Sequence, residues 1–139
     1  MSYSNYTIKK VQTVFKIDIV EEIGLFTDIS SREISSLLKE TLAENMSLAI
    51  SINTDKARSE LIIAPVLVEL RKLFNRQISL FSGIELNVDK ENDLVGYCDF
   101  IISQSAEQLC LKSPVIMIVE AKNENIMAGL GQCAAEMIA

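Results

Sequence analysis

The sequence contains no histidine. That excludes serine–histidine and cysteine–histidine nucleophile pairs, histidine metal sites and imidazole proton shuttles, so any chemistry must rest on carboxylates, lysine, amides, hydroxyls or thiols. Basic residues are outnumbered, 13 against 19 acidic, for a net charge of −6. An acidic chain does not hold nucleic acid by bulk electrostatics, although a local basic edge remains compatible with it. The three cysteines, Cys98, Cys110 and Cys133, form no CxxC pair, so no zinc knuckle or redox motif is indicated. They are expected to be small core residues. No apolar run approaches the ~18 residues of a membrane helix. The opening run MSYSNYTIKKVQ lacks the basic-then-apolar pattern of an export signal. No repeat or low-complexity linker interrupts the chain. These absences give the expectation of a reduced, cytoplasmic protein away from membranes.

What is present suits one globular domain. The 139 residues are 49% hydrophobic, enough for a real core. Ile8, Val11 and Phe15 fall at helical spacing in 7–17. After a connector, Ser30 and Glu33 have capping-box spacing, followed by an apolar stripe of Ile34, Leu37, Leu38 and Leu42. Residues 54–74 read as a longer helix capped by Thr54 or Asp55, which Pro65 should kink or divide. Segments 79–88, 96–103 and 113–122 read as strands. Residues 125–139 read as a helix, despite Gly129 and Gly131 at about 1 kcal/mol each against alanine. Two N-terminal helices over 1–53, then helix, three strands and helix over 54–139, make a mixed α/β (α+β) domain with an antiparallel meander.

The third strand poses the functional question. Five apolar residues, Val115 to Val119, lead into Glu120-Ala121-Lys122. Strand alternation puts Glu120 and Lys122 on one face, a strand repeat of roughly 7 Å apart. Folding 96–103 against 115–122 places Asp99 beside Glu120 within one residue of register. Two adjacent carboxylates repel, and either a raised pKa or a divalent cation relieves them. Oxygen ligands with open water positions suit Mg²⁺ or Mn²⁺. A lysine next to them could orient a water or stabilise a developing oxyanion, which makes a workable phosphodiester-hydrolysing site. The plain alternative is an exposed Glu120–Lys122 ion pair worth ~0–1 kcal/mol.

Asp99, with Glu120-Ala121-Lys122 about twenty residues later at the end of an apolar strand, resembles the PD-(D/E)xK phosphodiesterase superfamily. The resemblance covers about residues 55–139. It implies a restriction-endonuclease-like αβββα core with a mixed sheet. Asp99, Glu120 and the Ala121 carbonyl would hold Mg²⁺ or Mn²⁺, Lys122 would position the attacking water, and nucleic acid, DNA first, would be the substrate. A helix glutamate often joins such a site; Glu60 in ARSEL matches best and also becomes a metal-ligand candidate, with Glu69 the weaker match. Gln132 matches the glutamine common on the following helix, and Glu136 lies one helical turn on. Lys56 and Arg58 are candidate phosphate contacts. Tyr97, Met117, Met127 and Met137 are expected to pack. The sequence GYCD has no proline before the aspartate. The family's further strand is missing, and the apolar run up to Ala139 gives the expectation of a C-terminally truncated core that closes as a homodimer. A catalytically inactive, nuclease-like binding module is the alternative function.

Overall fold

The structure, a computed structural model, describes residues 2–139. A 3₁₀ turn at Tyr3–Asn5 leads into helix α1 (Ile8–Phe15), whose first turn is capped by Thr7 accepting from the Lys10 N–H. Helix α2 spans Ser36–Ile52. Its cap is Ser35, accepting from the Leu38 N–H, so the capping box expected at Ser30 does not form. The reason lies elsewhere in the chain. Buried Glu69 accepts the Ser35 N–H at 2.8 Å and fixes the helix start there. This bond lowers the Glu69 pKa. Glu69 is therefore a helix anchor and does not join the acid pair.

The helix expected over 54–74 is divided, as Pro65 requires. Helix α3 (Asp55–Arg58), capped by Thr54, passes through a π-helical turn (Ser59–Ile63) into helix α4 (Ala64–Leu73). The carbonyl four residues before the proline, that of Leu61, has no α-helical donor to receive. It takes one from Asn45 Nδ2 of α2, at 2.9 Å. Asn45→Ala should strand that carbonyl and lower stability by about 1–2 kcal/mol, read as an earlier urea midpoint with unchanged slope.

Strands β1 (Ser79–Glu85), β2 (Tyr97–Ser103) and β3 (Val115–Val119) form a sheet in the order β1-β2-β3, followed by helix α5 (Ile126–Ile138). Both pairings are antiparallel. The fold is thus α+β, and the expected mixed sheet is not found: no parallel strand exists among the described residues. β2 is central, and Phe100, Ile101, Ile102 and Ser103 are buried in succession, as in a strand covered on both faces. One core cluster joins Leu67 of α4 to Ile78, Phe100 and Ile102. A second joins Tyr3, Tyr6 and Val11 to Leu94 and to Ala135 of α5. The N-terminal residues are therefore part of the packing that positions α5.

Several packing expectations are corrected. Tyr97 is exposed, as are Met117, Met127 and Met137; Cys110 is exposed too. Tyr97 opens β2 and pairs only with Glu85 of β1, and Met117 belongs to β3, which has no strand on its outer side among the described residues. No helix is long and apolar enough to cross a membrane among the described residues.

Candidate active site

The site grows out of the β2–β3 register. Phe100 pairs with Val119 and Ile101 with Ile118, so one step further Asp99 faces Glu120. Two hydrogen bonds fix that step. The Asp99 N–H donates to Glu120 Oε1 at 3.0 Å, and the Ala121 N–H donates to Asp99 Oδ2 at 2.8 Å. Each acid is held by the backbone of the opposite strand. Lys122 Nζ stands 3.6 Å from Glu120 Oε2, with the two side chains 26% and 6% exposed. The exposed ion pair considered from sequence is therefore not what forms.

Helix α5 closes the site from the other side. Asn125 caps it, accepting from the Ala128 N–H. Its start is tied to α3: the Asn123 N–H donates to Asp55 Oδ1, and Asn123 Nδ2 donates to the Asn53 carbonyl. Gln132 Nε2 then donates to Glu120 Oε2 at 2.7 Å and to Glu136 Oε1 at 3.0 Å. Gln132 is thus brought to the acids, as expected.

Glu60 is not. It lies exposed in an ion pair with Lys56 at 2.9 Å. The π turn shifts the helical phase, and Ile63 takes the inward line instead. With Val119, Glu120, Lys122 and Cys133, Ile63 lines a cleft of about 370 Å³ beside the acids. Lys56 is committed to Glu60, and Arg58 Nη2 donates to Asn53 Oδ1, so neither cation is placed at the acids.

Sequence reasoning gave no site role to three residues that the structure brings in. Glu136 is 1% exposed and Cys98 is 1% exposed, both against Glu120. The signals were there: a lone acid inside the apolar run CAAEMIA, one turn from Gln132, and a thiol next to Asp99. Gly129 is the third. A Cβ there would meet Lys122 Cε at 2.9 Å, so the bare backbone makes room for the lysine stem.

Burial dominates the electrostatics. It raises the Glu120 pKa; the Asp99 N–H works against that shift, and the Asp99 charge adds to it. Burial pushes Glu136 up from an ordinary 4.5 to about 8, with the Gln132 bond opposing and the Glu120 charge assisting. The Cys98 thiol is pushed up to about 12, by burial first and then by Glu136. The consequence for stability has a definite sign. Folded protein keeps a proton on Glu136 that unfolded protein releases, so this contribution is complete below about pH 4.5 and is lost as pH climbs toward 8. Between pH 5 and 8.5 the metal-free protein should lose about 2 kcal/mol that Glu136→Gln does not lose, measured by urea denaturation at both pH values.

No family model matches the chain, and neither does any curated protein or any solved structure.

Proposed function

We propose that the chain is a metal-dependent nuclease hydrolysing nucleic-acid phosphodiester bonds, DNA first, in the manner of the PD-(D/E)xK superfamily it resembles. The finer assignment of the fold as a restriction-endonuclease-like αβββα core belongs to the same proposal. The observation that carries it is Asp99 and Glu120 locked side by side across β2 and β3, with the Lys122 ammonium 3.6 Å from Glu120.

The donor set fits Mg²⁺ or Mn²⁺. Two carboxylates and the Ala121 carbonyl are hard oxygen donors, and a cation would offset the burial that raises Glu120 together with the smaller repulsion from Asp99. Bound there, the metal supplies neutralisation of the phosphate charge and a water of lowered pKa. The protein's own groups do the rest. The backbone N–H groups of Asp99 and Ala121 fix the two carboxylates. Gln132 holds Glu120 from the α5 side and keeps its second oxygen oriented. Lys122, half-buried and supported by the Gly129 gap, offers a point charge to an attacking water or a phosphate oxygen. With a net charge of −6, attraction for the substrate must come from this centre and not from the surface at large.

Cleavage of labelled DNA in millimolar Mg²⁺, abolished by chelator and by Lys122→Ala, is the expected result. Metal-independent binding of DNA without cleavage would instead support the inactive module. Two further expectations go with this reading. Three free cysteines suit a reducing cytoplasmic setting. Homodimerisation through the outer edge of β3, where Val115, Ile116 and Met117 are exposed, is read by light scattering on dilute protein.

A further inference from the structure

The buried trio behind the acid pair has a use that the nuclease reading leaves open. One ligand atom each from Cys98, Glu120 and Glu136 lie within 4.8 Å of one another. We propose that Cys98, Glu120 and Glu136 form a site for a thiophilic divalent cation of the zinc class, sharing Glu120 with the acid pair but distinct from it. Ligand atoms around a tetrahedral zinc stand about 3.5 Å apart, so the trio needs only a small contraction to close on one ion.

Three observations support the site. First, Glu136 Oε2 is buried and receives no N–H or hydroxyl hydrogen bond; what stands against Glu136 there is the Glu120 carboxyl, with which it shares a proton in the metal-free protein and whose place a cation would take. A buried carboxyl oxygen left without such a bond is costly, and a cation would satisfy it. Second, Gln132 Nε2 bridges Glu120 and Glu136, the kind of outer partner that holds ligating carboxylates in orientation. Third, one of the three, Glu120, lines the open cleft together with Lys122 and Cys133, so the trio meets solvent-accessible space through that residue. The sulfur sets the class. Mg²⁺ does not select a thiolate, whereas zinc-class ions do. On loading, the Cys98 thiol and the Glu136 carboxyl each give a proton to solvent, and the sulfur and the carboxylate oxygen take the metal bonds.

The inference does not rest on nuclease activity, and Co²⁺ separates the two. Titrating metal-stripped full-length protein with Co²⁺ should produce a near-ultraviolet thiolate-to-cobalt band saturating at one ion per chain, which Zn²⁺ then erases. Cys98→Ser, close to isosteric, should lose the band. Glu136→Gln should weaken Co²⁺ binding at least about 10-fold, while Asp99→Ala and Cys133→Ser keep it. No band in the wild type, or a band that persists in Cys98→Ser, overturns the proposal. So does a band lost in Asp99→Ala, since the ion would then belong to the acid pair. Failure of Mg²⁺-dependent cleavage alongside an intact Co²⁺ band would count against the nuclease reading alone.

Discussion

Asp99→Ala and Glu120→Ala should each abolish Mg²⁺ binding and reduce DNA cleavage by at least about 1,000-fold, while Lys122→Ala loses cleavage but keeps the metal. The split follows from the donors. On the proposed reading the two carboxylates are the only side chains that ligate the metal, and each is fixed by a backbone N–H of the other strand. Lys122 reaches Glu120 as an ammonium and cannot ligate a cation. Calorimetric Mg²⁺ or Mn²⁺ titration reads one half of the prediction and a cleavage time course the other. Melting temperature adds a third reading: millimolar metal should raise it in the wild type and in Lys122→Ala by mass action, and leave the two acid variants unmoved. Metal loss in Lys122→Ala as complete as in Asp99→Ala would show that the lysine builds the metal site, and the division of roles would fail.

Gly131→Ala should be the most destabilising single change in the helix that carries Gln132 and Glu136, at about 3 kcal/mol or more. A Cβ at 131 would stand 2.2 Å from the Tyr6 carbonyl oxygen and 2.5 Å from the Thr7 carbonyl carbon. Both are backbone atoms in a segment that cannot retreat easily. Tyr6 is buried and its hydroxyl donates to the Asn92 carbonyl, while Thr7 caps α1. The melt should fall by roughly 10 °C. Gly129→Ala makes an instructive contrast, because its Cβ would meet only the flexible Lys122 stem. It should cost much less stability and should displace the ammonium, so its loss appears in cleavage. A Gly131→Ala melt within 1–2 °C of wild type would show that α5 is not docked on the N-terminal segment as described.

These two glycines show where sequence reasoning stops. Helix propensity assigns both the same small penalty, and only the close approach of the 6–7 backbone and of Lys122 gives each its role. The β2–β3 register was legible because strand alternation and the constant residue-number sum of an antiparallel pair leave little freedom, and Asp99 met Glu120 as counted. Gln132 was singled out on a resemblance seen in the sequence, and its side chain does reach Glu120. Glu60 does not, because Pro65 introduces a π turn whose phase shift no simple 3.6-residue count contains. Ser30 failed as a cap because Glu69, far along the chain, selects Ser35. Burial of Cys98 was expected from sequence and is found, whereas burial of Glu136 depends on how α5 docks on the sheet, which no local pattern encodes.

A crystal of the full chain soaked in Mn²⁺ is the most direct test of the central claim. The account predicts an anomalous-scattering peak between the Asp99 and Glu120 carboxylates, within bonding reach of the Ala121 carbonyl. Density absent from that position at saturating Mn²⁺, with both side chains still ordered in their reciprocal hydrogen bonds, would contradict it.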